Sequence, residues 1–189
     1  MADIKSVYIQ VERLEAGSGP SFEEILDNGA VFSNYVHDKW PPSNLESEAT
    51  EGVWVEYEEI FGRLQSGQEL SAFELGAENS DAKLSKLLDA SDRRTTFAIA
   101  SPNRLAFYGF GVSGGRFDSP ARFLDIFTTM AMIGEFYLGK YPSGSVLFEA
   151  LKNPNFKQTQ IGKLKAALAR LEKMLKRDDR EPWDKHDCA

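Results

Sequence analysis

Two overlapping glycine motifs contain the residues whose spacing could support ligand chemistry. Residues 109–114 read Gly-Phe-Gly-Val-Ser-Gly and match the G-x-G-x-x-G pattern of dinucleotide sites, while residues 111–115 match the G-x-S-x-G pattern of serine hydrolases. Both chemistries need a helix directly after the motif, because helix amides hold the phosphate or a tight turn exposes the serine. We predict that the next helix starts only at Asp118 or Ser119. The glycines are therefore expected to serve the exit of a hairpin.

A serine hydrolase would use a triad of Ser113, either Asp125 or Asp178, and His186. A general base must be held rigidly within hydrogen-bond reach, and His186 lies in a tail that we expect to be mobile. The serine hydrolase therefore remains the less favoured alternative.

Metal and redox chemistry have few candidate residues. The chain has two histidines, His37 and His186, and one cysteine, Cys188. Although His186 and Cys188 lie close together, no second ligand pair supports a structural zinc site, and we predict no metal or cofactor. A single cysteine allows no intramolecular disulfide, which favours a cytoplasmic location.

Carboxylates are strongly concentrated in the first half of the chain. Residues 15–81 contain 15 acidic and two basic residues, whereas residues 157–177 contain seven basic residues and one acidic residue. Such blocks create fields that steer partners of opposite charge. The acidic segment can also be interpreted as a solvated surface, or as an internal surface that faces the basic C-terminal segment.

The densest acidic run defines the candidate partner-binding residues, with two aromatic residues as anchors. If Trp54 and Tyr57 are exposed they can anchor a partner, and otherwise they belong to the core. The candidate residues are Glu46, Glu48, Glu51, Trp54, Glu56, Tyr57, Glu58 and Glu59.

These observations predict a non-enzymatic, acidic protein-binding module. Its composition is typical of inhibitor or immunity proteins that neutralise a basic partner protein. The alternatives are an assembly subunit of a phage or multiprotein complex, and the hydrolase that uses Ser113. Nucleic acid is not expected as a partner, because phosphate binding would require the basic segment to dominate the field.

The length of 189 residues predicts one domain, which we place at residues 1–177, followed by an acidic tail at residues 178–189. The start of the chain shows no signal-peptide pattern. The most apolar stretch, residues 123–138, carries Asp125 and Glu135 and is shorter than the ~20 residues of a membrane span. We therefore expect no membrane association.

The pattern predicts an α+β fold with a mainly antiparallel sheet and helices packed on one side. The sheet is built around a hairpin at residues 95–112, where two aromatic-rich runs flank Pro102-Asn103. Alternation through Val7, Ile9 and Val11 predicts a strand that pairs next to this hairpin. Residues 31–36 are a candidate strand or a continuation of the preceding helix, and residues 70–75 are a further candidate strand.

Helices are predicted from apolar spacing and capping signals. Ser21 and Glu24 form a capping box for a helix that ends near Gly29, and Ser80 or Asp81 caps another. Helical spacing also begins at Val53, although Val53-Trp54-Val55 has strand propensity as well. A long central helix is expected from residue 118 or 119 to about residue 140, with Pro120 in its first turn.

A final amphipathic helix is expected near the C-terminus. Ile161, Leu164, Leu168, Leu171 and Leu175 are spaced alternately by three and four residues. Two heptads fall short of the three or four that indicate a coiled coil, so we expect this helix to pack on its own domain. A monomer is therefore favoured, with a dimer through residues 161–175 as the alternative.

Overall fold

The computed structural model describes residues 4–36, 55–66, 70–135, 144–155, 162, 164–172 and 174. By its internal contacts the chain divides into two units, residues 1–152 and residues 153–189. All the named strands and helices belong to the first unit. The predicted boundary between residues 177 and 178 lies outside the described residues and stays a prediction.

The first unit contains a six-stranded sheet with strand order β3-β1-β4-β5-β2-β6. The strands are β1 (Lys5–Val11), β2 (Ala30–Val36), β3 (Leu70–Leu75), β4 (Thr95–Ser101), β5 (Arg104–Gly109) and β6 (Gly115–Arg122). The helices are α1 (Pro20–Asn28), α2 (Tyr57–Ser66), α3 (Ser80–Ala90) and α4 (Phe123–Gly134), with a 3₁₀ turn at Phe148–Ala150. The predicted α+β composition is confirmed.

The prediction of a mainly antiparallel sheet is wrong, because the sheet is mixed. The pairs β1–β3, β1–β4 and β2–β6 are parallel, and only β4–β5 and β2–β5 are antiparallel. It follows that β5 alone runs against the other five strands. Helices α1, α2 and α3 each follow one strand and precede the next, which is the crossover that parallel strands need.

The predicted hairpin is confirmed and forms the centre of the sheet. Strands β4 and β5 pair from Ser101 opposite Arg104 to Thr96 opposite Gly109, around the turn at residues 102–103. The N-terminal strand β1 pairs with β4, as expected, although in parallel.

Helices cover both faces of the sheet, which corrects the prediction that they pack on one side. Helices α1, α2 and α3 contribute Phe22, Ile60 and Leu84 to one core cluster. Helix α4 contributes Phe123, Ile126 and Met130 to a cluster on the opposite face, beneath which the sheet presents small residues such as Ala98. Because both faces are covered, consecutive β1 residues are buried rather than alternate ones.

The segment predicted to open the long helix is instead the edge strand β6. Asp118 and Pro120 lie within this strand, and helix α4 begins at Phe123. The backbone N–H of Arg122 donates a 2.8 Å hydrogen bond to the buried Asp125 carboxylate, which satisfies one helix-end group. An edge strand tolerates proline, because the missing N–H can face outward.

The predicted N-terminal cap of α1 is also wrong. Ser21 lies inside the helix rather than at its cap, and the cap position is Gly19. The side chain that meets this helix end is Asp81 of α3, whose Oδ1 accepts a 3.2 Å hydrogen bond from the Ser21 N–H. The helix itself is confirmed, and Gly29 follows its last residue.

Residues 144–152 close the face that α4 covers. The Asp125 carboxylate accepts the Ser145 N–H at 2.7 Å, and the Thr129 hydroxyl accepts the Leu147 N–H at 3.0 Å. Leu147 and Ala150 enter the core cluster beneath α4.

In the second unit, residues 164–172 are helical and their side chains are exposed. Leu164, Leu168 and Leu171 are 62%, 56% and 55% exposed. The expectation that this helix packs on its own domain stays a prediction. The remainder of the predicted helix lies partly outside the described residues.

Candidate binding surface

The first three helices form one layer, in which α3 contacts both α1 and α2. Each helix buries one apolar stripe against the sheet, so its charged residues lie on the solvent side. We call the solvent side of α1, α2 and α3, together with Glu56, the acidic layer.

Helix α1 supplies three exposed carboxylates and no basic residue: Glu23, Glu24 and Asp27. Glu24 Oε1 accepts a 2.5 Å hydrogen bond from the Tyr108 hydroxyl of β5. Burial, followed by the bond to Glu24 and its charge, raises the pKa of Tyr108 to about 12. Asp27 lies 3.9 Å from Arg116, and both side chains are largely exposed. Such an exposed pair is worth about 0–1 kcal/mol, so Asp27 stays available to a partner.

The start of α2 supplies three more exposed carboxylates, at Glu56, Glu58 and Glu59. Acidic residues in a first turn stabilise a helix, because they face the positive end of its dipole. Arg63 pairs with Glu59 at 3.0 Å one turn along, which compensates that carboxylate. Glu56 and Glu58 are therefore the α2 carboxylates best suited to a partner.

Tyr57 is part of the packing between α2 and α3. Its hydroxyl donates a 3.2 Å hydrogen bond to the Lys83 carbonyl, and the Lys83 ammonium lies 5.3 Å from its ring centroid. The ring makes edge contacts with Phe61 and Phe73, at centroid distances of 5.4 and 6.2 Å. Burial, with a smaller effect of Glu58, raises its pKa. These contacts fix the half-buried tyrosine and position the carboxylates beside it.

The structure thus describes half of the predicted partner-binding residues. Glu56, Tyr57, Glu58 and Glu59 lie together at the start of α2. Glu46, Glu48, Glu51 and Trp54 lie outside the described residues.

A cleft that the sequence analysis did not predict borders the acidic layer. It has a volume of about 410 Å³ and is lined by Glu12, Arg13, Ser18, Phe22, Ala77 and Ser80. These residues follow the carboxyl ends of β1 and β3 or open α1 and α3, which is where open α/β sheets bind ligands. The pattern Gly17-Ser18-Gly19-Pro20 between a strand and a helix was the available signal.

The charges near the cleft favour a cationic group over a phosphate. The amide end of α1 already meets the Asp81 carboxylate, and Glu12 adds a second negative charge. Arg13, a basic lining residue, lies 3.9 Å from Glu15. An anion that entered this cleft would therefore meet carboxylates, whereas known types of phosphate site present free backbone amides.

The glycine motifs lead into strand β6, which disfavours both ligand chemistries. Gly109 and Gly111 adopt positive φ angles of 97° and 75° where the chain leaves β5. The Ser113 N–H donates a 2.8 Å hydrogen bond to the Ala150 carbonyl, and Val112 bridges Leu151. Because no helix starts here, the motif offers neither a phosphate-binding helix end nor a nucleophile elbow.

The two histidines of the chain and its cysteine all lie outside the described residues. Within that part, no group of three or more histidine, cysteine or acidic side chains could hold a metal ion. None of the helices described there is long and apolar enough to cross a membrane.

Comparison with protein families, with curated protein sequences and with solved structures finds no match to this chain.

Proposed function

We propose that this chain is a non-enzymatic binding protein that uses its acidic layer to bind and neutralise a basic partner protein, as inhibitor and immunity-type proteins do. The observation that supports this is the uneven placement of exposed charge on the two faces. Helix α1 has three exposed carboxylates and no base, whereas the charged residue of α4, Asp125, is buried. A cytoplasmic location belongs to the same proposal.

Carboxylates on a rigid helical layer suit a partner rich in lysine and arginine. The layer is held to the sheet by buried apolar residues, so its backbone needs little ordering on binding. The acidic layer carries more carboxylates than bases, its bases being Arg63, Lys83 and Lys86. Such an excess of negative charge accelerates encounter with a positively charged partner, and salt weakens that effect. Binding is therefore expected to weaken as the ionic strength rises.

The cleft gives the layer a concave edge beside α1. A basic side chain of the partner that enters it would meet Glu12 and the hydroxyls of Ser18 and Ser80. The segment that contains Glu46, Glu48 and Glu51 extends the carboxylate run in sequence and belongs to the proposed partner-binding set.

The test is capture of proteins from a lysate of the source cell, compared between two matched double variants. Glu56→Lys with Glu58→Lys reverses two charges of the acidic layer, and Asp118→Lys with Glu149→Lys reverses two exposed charges outside it. We expect a basic protein to be retained by the wild type and by the second variant, lost from the first, and released by high salt.

Equal melting temperatures would show that both variants are folded. Retention of the same basic partner by both variants would contradict the assignment to the acidic layer. A captured partner that resists salt and is acidic or neutral would contradict the proposal as a whole.

A further inference from the structure

The helix of the second unit presents an exposed apolar stripe. Leu164, Leu168, Leu171 and Met174 are between 55% and 66% exposed. Large apolar side chains that are exposed singly are ordinary, but a continuous stripe indicates an interaction surface.

The three leucines have the spacing of a coiled-coil seam. If Leu164 takes position d of a heptad, Leu168 takes a and Leu171 takes d. In this frame Arg170 takes the outer position c. The seam is flanked by Lys165 and Glu172 at e and by Ala167 and Met174 at g.

These flanking residues indicate a second copy of this chain as the occupant. An acidic partner helix would be recognised by basic residues on both sides of the seam. This helix instead has one basic flanking residue, Lys165, and one acidic flanking residue, Glu172. The flank is therefore complementary to itself, as a two-fold symmetric interface requires.

The same residues set the direction of pairing. In a parallel pair, position e of one helix faces position g of the other. In the described part of this helix, position g is occupied by the uncharged residues Ala167 and Met174. In an antiparallel pair e faces e, so that Lys165 of one copy faces Glu172 of the other, twice. We propose that this chain forms an antiparallel dimer through residues 164–172, independently of any basic partner.

The first test is sedimentation of the purified full chain over a range of concentrations. A reductant should be present, so that Cys188 cannot link two copies. We expect a monomer that converts to a dimer as concentration rises, because the seam is short. Leu168→Lys should shift the dissociation constant upward at least tenfold, whereas Ala166→Lys, at the outer position f, should leave it unchanged. Leu168 is 56% exposed and Ala166 is exposed too, so both variants should melt like the wild type.

The second test addresses direction by charge exchange. Lys165→Glu should weaken the dimer by placing two acidic residues opposite each other, and adding Glu172→Lys to the same chain should restore it. A chain that stays monomeric at all concentrations, or a dimer indifferent to Leu168→Lys, overturns the proposal. A dimer that responds to Leu168→Lys but shows no recovery in the double variant overturns the antiparallel arrangement.

Discussion

At the residue scale, the glycines of the G-x-G-x-x-G match are explained by backbone geometry. Gly109 lies at the end of β5 with a φ of +97°, and an added Cβ there would collide with the Thr95 carbonyl oxygen. That oxygen accepts the Phe110 N–H at 2.9 Å, so it has little freedom to move. A letter pattern that resembles a nucleotide site thus arises because the chain must turn sharply between two strands.

This geometry predicts opposite effects for the same substitution at two glycines. Gly109→Ala should destabilise the fold by about 1–3 kcal/mol, because of the positive φ and the collision. Gly62→Ala lies within α2, where nothing stands within 4 Å of the new Cβ, and should stabilise it by about 0.5–1 kcal/mol. Urea unfolding of the two variants against the wild type measures both. Shifts of the same sign would contradict the backbone explanation.

At the element scale, the helices and strands could be predicted where the local signal and the packing agree. The hairpin signal around Pro102-Asn103 is local, and it was correct. The segment Asp118-Ser119-Pro120 resembles a helix start equally well, yet it forms β6, because pairing with β2 satisfies its backbone. The cap of α1 could not be predicted, since Asp81 lies 60 positions away from Ser21 in the chain.

The cap between α3 and α1 can be tested with two aspartates of one helix. Asp81→Ala removes the acceptor of the Ser21 N–H and should destabilise the protein by about 1 kcal/mol, the usual worth of a cap. Asp89→Ala removes an exposed carboxylate from the last turn of α3, where the helix dipole disfavours negative charge.

Thermal unfolding should therefore show a lower melting temperature for Asp81→Ala, and an equal or slightly higher one for Asp89→Ala. Equal losses from the two variants would mean that Asp81 acts only as one more surface charge.

At the scale of the whole molecule, the exposure of single charges follows from simple physics, whereas the topology does not. Charged side chains must stay solvated, and the carboxylates of residues 56, 58 and 59 are exposed. Strand order depends on which crossovers form, and no local pattern encodes it. The cleft was missed for that reason, because it exists only where β1 and β3 are neighbours.

The structure also predicts how far the chain can be truncated before the first unit loses its stability. Residues 144–152 contribute Leu147 and Leu151 to the buried residues, and burial of each is worth about 1.5–3 kcal/mol. The same segment donates backbone N–H groups to Asp125 and Thr129, and the Lys152 N–H bonds the Gly111 carbonyl at 2.9 Å. Its loss would leave a buried carboxylate with a missing donor, which adds a cost of about 1–3 kcal/mol.

A chain of residues 1–152 should therefore unfold cooperatively, with a melting temperature within a few degrees of that of the full chain. A chain of residues 1–143 should lose most of its stability, because several such terms together approach the roughly 5–15 kcal/mol that holds a domain folded. Calorimetry of the two chains beside the full protein measures the difference. If residues 1–143 melted like residues 1–152, the core beneath α4 would not need the segment. If residues 1–152 failed to fold, the first unit would not be a stable domain by itself.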